Sequence, residues 1–193
     1  MSERFTGDNL RLVYDVLHQA VEEKKSGILL LIDFEKAFDS IAWSFITKCL
    51  NFFNFGSEIK QWIKVFINNI KSCVVVNNNV TKWFQVERGC RQGDPLSPYI
   101  FLICSEVLAH MIRQNGNIKG INISGVEVKI NQSADDTSLF LDGSKKSFEY
   151  CVFTILEYAK FSGLTMNFEK TKVIWIGNKK DSELRYMPQM NFE

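Results

Sequence analysis

The run Ile28-Leu29-Leu30-Leu31-Ile32 is continuously apolar and closes on a carboxylate, Asp33. A strand with one wet face would alternate apolar and polar residues. A short unbroken run reads instead as a strand buried on both faces. Asp33 then stands at the mouth of that strand, where an ionised carboxylate costs free energy unless something neutralises it. A helix cap or an ion pair with Lys36 would serve. Yet Asp39 and Ser40 are better placed to cap the helix that follows, which leaves Asp33 spare.

The surrounding pattern supplies elements to pack against this strand. Leu10, Val13, Tyr14, Leu17, Ala20 and Val21 recur at helical spacing until Ser26-Gly27 interrupts them. A helix through Trp43, Phe45, Ile46 and Leu50 is expected next, and Gly56-Ser57 restarts a second through Ile59, Trp62, Ile63, Phe66 and Ile67. SCVVVNNNVTKWFQV reads as a hairpin turning at Asn77-Asn78-Asn79. A helix follows, with Asp94 as its cap and Pro95 in its first turn. GINISGVEVKINQSADDTSLFL reads as strands around a turn, Ser147 to Phe161 as a helix, and KVIWIG as a last strand. At 193 residues the chain suits one domain with a substantial core. The order of elements predicts an α+β fold, with helices on one face of a mostly antiparallel sheet.

Two further constellations carry chemistry. In NQSADDTSLFLDG, Asp135 and Asp136 are adjacent at the edge of a strand. Two unit charges about 4 Å apart repel by roughly 4 kcal/mol at an effective dielectric of about 20. A divalent cation reverses the sign of that term, and Mg²⁺ favours one or two carboxylates together with substrate phosphates. A solvated β-turn is the plain alternative, since Asp is common there. Asp33 and Asp135 on neighbouring strands would form the clamp that two-metal phosphoryl transfer requires. Spacing alone does not make those strands neighbours. The other constellation is RGCRQGDPLSP, where Arg88, Arg91 and Gln92 precede a helix whose first amides attract phosphate. Here too a simple loop, with Asp94 satisfying those amides, accounts for the residues.

Composition removes several other classes. The net charge of +1 gives no basic field for nucleic acid, so that reading rests on local chemistry. Cys49, Cys73, Cys90, Cys104 and Cys151 are widely spaced without a Cys-x-x-Cys pair, which argues against thiol zinc sites and a disulfide framework. No apolar run approaches the roughly 18 residues of a membrane span, and MSERFTGDNL is no signal peptide. A location inside the cell, nucleus or cytoplasm, is expected.

The blocks LLLIDFEKAFDSIAW, GCRQGDPLSPYIFLI and SADDTSLFLDG, in this order, resemble the palm of reverse transcriptases. The likeness is greatest to those of non-LTR retrotransposons of the LINE and Jockey kind. FSGLTMNFEKTKVIWIG resembles the next two blocks of that palm and ERFTGDNLRLVYDVL the block before, so the likeness runs from about Arg4 to Gly177. It implies a right-hand polymerase palm with an RRM-like or ferredoxin-like sheet over residues 1–177, and a tail, 178–193, that stops before a thumb. The start of the fingers would be missing.

The same resemblance implies an RNA-directed DNA polymerase using an RNA template, a DNA primer and dNTPs, with two Mg²⁺ ions or Mn²⁺ in their place. Asp33, Asp135 and Asp136 match the family's metal-binding carboxylates. Phe38 matches its bulky sugar gate, where a ring would collide with a ribose 2′-OH. Phe38 also suits ordinary core packing. Arg91, Gln92 and Gly93 fall in the loop against the incoming nucleotide, with Gly93 allowing close backbone approach. Lys170 matches a lysine that protonates the leaving pyrophosphate, or is a solvated lysine. Ser133, Ala134, Trp175 and Gly177 match the segments at the primer end, with Ser133 where the family carries Phe or Tyr. An inactive, truncated copy with weak nucleic-acid binding is the alternative. A nucleotidyl cyclase palm leaves the RQGDPLSP block unexplained.

Overall fold

The computed structural model describes residues 6–133, 136–177 and 191–192. Its elements run α1 (Thr6–Glu22), β1 (Gly27–Ile32), α2 (Ala37–Ser40), α3 (Trp43–Phe52) and α4 (Ser57–Ile67). The short strands β2 (Lys71–Ser72), β3 (Val75–Val76), β4 (Asn79–Val80) and β5 (Phe84–Gln85) follow, then α5 (Ser97–Gln114). The chain continues through β6 (Ile121–Ile123), β7 (Val126–Val128), β8 (Ile130–Ser133), β9 (Asp136–Leu141), α6 (Lys145–Ser162), β10 (Lys172–Ile176) and β11 (Asn191–Phe192).

The main sheet has the order β11-β10-β1-β9-β8, and the apolar run is its central strand. Both neighbours of β1 are antiparallel: Ile28 faces Trp175 and Leu141, and Leu30 faces Val173 and Leu139. β11 adds one parallel pairing at the edge. Because side chains alternate across a strand, β1 feeds two cores. Ile28, Leu30 and Ile32 join Leu139, Leu141 and Val173 under α3, α5 and α6, where Ile46, Cys104, Leu108, Phe148, Ile155 and Tyr158 are buried. Leu29, Phe140 and Ile176 point the other way, onto Val16 and Ala20 of α1 and Ile121 and Ile123 of β6.

The α+β reading and the mostly antiparallel sheet therefore hold, with one correction to the layering. α3, α5 and α6 share a face, but α1 and the β6–β7 hairpin cover the other. The physical reason lies in β1, since a strand apolar on both sides must be covered on both.

Two caps fall elsewhere than expected. α3 begins at Trp43 after an Ala42 cap that offers no side-chain acceptor, so neither Asp39 nor Ser40 caps it. α5 begins at Ser97 with Pro98 in its first turn, three residues beyond the expected cap. Asp94 instead closes a tight turn, its Oδ1 accepting from the Leu96 N–H at 2.9 Å. α6 has an orthodox cap, in which Ser144 Oγ accepts from the Ser147 N–H. In the β3–β4 hairpin, Asn77 and Asn78 take φ of 49° and 64°, and Asn79 already pairs with Val76. A two-residue turn needs positive φ at both positions, which Asn tolerates. Among the described residues no helix is long and apolar enough to cross a membrane.

Leu30 has no exposed surface and lies at the centre of the sheet. Leu30→Ala should lower the unfolding free energy by about 2–5 kcal/mol, measured by urea denaturation. Val75→Ala, on the exposed hairpin, should change it by no more than about 0.5 kcal/mol.

Candidate active site

The antiparallel register brings the first two carboxylates to one end of the sheet. Ile32 pairs with Thr137, and Asp33 follows the one as Asp136 precedes the other, so both aspartates lie at the same end of the sheet. On the far side of β9, Asp136 pairs with Ser133 of β8. Asp33 is half-buried and Asp136 exposed. Among the described residues neither carboxylate group has an ion pair or hydrogen bond from a side chain. Carboxylates so placed are groups that could hold a divalent cation. Ala134 and Asp135 lie outside the described residues, and the described ones alone hold no group of three metal-binding side chains.

A clasp holds Asp33 from the β10 side. The Asp33 carbonyl accepts from the Asn167 N–H at 2.9 Å, and Glu35 N–H donates to the Thr165 carbonyl at 2.8 Å. Asp33 N–H points to Thr171 Oγ1 at 3.5 Å, and Thr171 is fully buried. Within this turn Asn167 Oδ1 accepts from the backbone N–H of both Glu169 and Lys170 at 3.2 Å. The segment that carries Lys170 is thus anchored to the backbone of Asp33, and the lysine itself is exposed.

The loop from Gly89 to Gly93 is joined to α2 by main-chain bonds. Cys90 N–H donates to the Phe38 carbonyl at 2.6 Å and Gly89 N–H to the Ile41 carbonyl at 2.8 Å. Trp43 Nε1 closes the same contact by donating to the Gly89 carbonyl at 2.9 Å. Gly89 has φ +86°, and a Cβ there would lie 2.6 Å from the Asp39 carbonyl oxygen, so only glycine permits this approach. Phe38, half-buried, stacks on Phe101 of α5 with ring centroids 4.5 Å apart. The Arg91 carbonyl accepts from Ser97 Oγ at 2.7 Å, which fixes the loop to the start of α5. Gly93 has φ +83° with open space where a Cβ would sit, so its glycine answers the turn itself.

Asp39, Arg88, Arg91 and Gln92 line a cleft of about 420 Å³ whose other wall is Ile70, Ser72 and Val86. Cys90 also lines it, and burial, reinforced by the Asp94 carboxylate, pushes its thiol up to about 11. A thiol so protonated is a packing group rather than a nucleophile. Asp39 was the residue whose role sequence reasoning missed. Both of its carboxylate oxygens accept from Gln92 Nε2, at 3.2 and 3.1 Å. The partners are 53 positions apart, and nothing in their local sequence signals the pairing.

Trp175 and Gly177 do not reach this end. Trp175 pairs with Ile28, five residues from Asp33 and hence about 17 Å along the strand. It packs on the main core. Gly177, at φ +77°, lies beyond Gly27's partner Ile176, against the Lys25 carbonyl and Ser26. β10 runs antiparallel to β1, so each step past Lys172 leads away from the carboxylates.

A family model described as "Reverse transcriptase (RNA-dependent DNA polymerase)" matches residues 3–189. The chain belongs to the reverse transcriptase family. Its resemblance to non-LTR retrotransposons is also carried by individual relatives of this reverse transcriptase chain. It is 29% identical over 136 residues to a Pol polyprotein from the type-1 retrotransposable element R2 of Nasonia vitripennis, covering 70% of this chain and 13% of the relative. It is 28% identical over 132 residues to the Transposon TX1 uncharacterized 149 kDa protein of Xenopus laevis, covering 68% and 10%. The chain thus spans a small part of these relatives. In fold it is similar to telomerase from Candida Tropicalis, solved with a fragment of telomeric RNA. The TM-score is 0.67 at 13% identity, covering 90% of this chain and 30% of that one.

Gly89→Ala should destabilise the chain by about 1–3 kcal/mol through its positive φ and the clash with Asp39. Hydrogen exchange should show the Cys90 amide losing protection before the amides of β1 do.

Proposed function

We propose that this chain is the catalytic palm of an RNA-directed DNA polymerase, which adds dNTPs to a DNA primer on an RNA template. Membership of the reverse transcriptase family supports the reading. So does the convergence of Asp33 and Asp136 at one sheet end, beside the anchored Lys170 turn and a loop bonded to Phe38. In this reading Asp33, Asp135 and Asp136 hold a pair of Mg²⁺ ions, with Mn²⁺ as a substitute. Such ions supply, when bound, charge neutralisation at the attacking 3′-oxygen and at the departing pyrophosphate.

The protein's own residues do the remaining work by position. Phe38, held by its stack on Phe101, presents a ring to the sugar of the nucleotide and excludes a 2′-OH. Arg91 lends positive charge to the triphosphate, and Gln92 hydrogen-bonds the nucleotide. Gly93 turns the chain so that the backbone lies open to it. Lys170 Nζ gives its proton to the pyrophosphate oxygen as the P–O bond breaks. Ser133 and Ala134 flank the primer terminus, where Ser133 offers less stacking area than an aromatic would.

The deciding experiment is primer extension of oligo-dT on poly-A with dTTP and Mg²⁺. Wild-type chain should extend the primer, and Asp33→Asn should lose at least about a hundredfold, the scale of removing a pre-placed electrostatic group. Equal extension by Asp33→Asn would sink the reading, and so would no extension by folded wild type. Phe38→Ala should narrow the preference for dNTPs over rNTPs by at least about tenfold, measured as the ratio of kcat/KM values.

A further inference from the structure

We propose that Asp39 is a positioning residue that fixes the orientation of the Gln92 amide, so that Gln92 offers its carbonyl oxygen to the nucleotide and not its NH₂. The inference rests on the polymerase reading of this site and deepens it. A glutamine side chain ends in an acceptor, Oε1, and a two-proton donor, Nε2, and by itself can present either. A carboxylate can only accept. With both Asp39 oxygens within 3.2 Å of Nε2, the NH₂ end must face Asp39, which leaves Oε1 as the end available to a ligand.

The pairing is set by the backbone beneath it. Gly89 and Cys90 are bonded to Ile41 and Phe38 on either side of Asp39, and the close approach of Gly89 to the Asp39 carbonyl oxygen tolerates no side chain. Asp39 N–H is itself held by the Lys36 carbonyl at 2.8 Å. Among the described residues no cation competes for Asp39: neither Arg88 nor Arg91 forms an ion pair with it, although all three line the same cleft. Gln92 is followed by Gly93 at φ +83° and is exposed, so without Asp39 its amide would rotate freely. The matching ligand group is a donor, a hydroxyl or amino group of the bound nucleotide.

The test has two arms on the folded chain. In the first, the side-chain amide resonances of Gln92, assigned by their loss in Gln92→Leu, are compared among wild type, Asp39→Ala and Asp39→Asn. Hydrogen-bonded shifts in wild type should collapse to free-glutamine values in Asp39→Ala and return in Asp39→Asn, which retains an acceptor. Unchanged shifts in Asp39→Ala, or no return in Asp39→Asn, would overturn the inference. In the second arm, steady-state primer extension should show Asp39→Ala raising KM for the dNTP by about tenfold, the scale of one charge-assisted hydrogen bond. The kcat should hold within about twofold, and Asp39→Asn should restore most of the loss. A fall in kcat at constant KM would overturn it. If wild type adds no nucleotide, the polymerase reading fails, and the amide resonances still decide the orientation of Gln92.

Discussion

Everything in this protein is arranged around the burial of β1 on both faces. Each large apolar side chain taken from water contributes about 1.5–3 kcal/mol, and β1 places five of them in succession between two cores. That burial makes β1 the central strand, with β9 and β10 at its sides. It also fixes where the strand must stop. Asp33 is the first residue that cannot stay inside without a counter-charge, so the end of the hydrophobic run becomes the beginning of the polar site.

From that point the site is assembled by backbone hydrogen bonds. The Asn167 turn grips Asp33 through its main chain, and the Gly89–Cys90 loop grips α2. Main-chain bonds lack the rotamer freedom of side-chain contacts and are little affected by the identity of exposed residues. They anchor the turn that carries Lys170 to Asp33, and the loop that carries Gln92 to Phe38. The exposed side chains are then free to meet a ligand, while the segments that carry them stay in place. Glycine at position 89 is what allows the two segments to touch.

The elements most legible in the sequence were those whose signals are local. The helices α1, α3, α4 and α6 follow from apolar spacing, the β3–β4 turn from its asparagines, and the exceptional carboxylates from their setting among apolar residues. The misread residues were both capping candidates. Asp39 and Asp94 were read as helix caps because Asp is a good cap, yet one is taken by Gln92 and the other by a turn to Leu96. For Asp39 a contact 53 positions away outweighed the local capping preference, and for Asp94 a turn to Leu96 did so two residues on.

The sequence by itself determined that a strand apolar on both sides exists, that it ends on Asp33, and that a second strand begins at Asp136. These follow from side-chain hydrophobicity and charge, which belong to residues individually. Only the tertiary structure decided that Asp33 and Asp136 lie at one end of the sheet, that α1 covers the second face, and that Gln92 hydrogen-bonds Asp39. Those depend on strand direction and register, which are set by how all the apolar surfaces are buried together and cannot be assigned to any one segment.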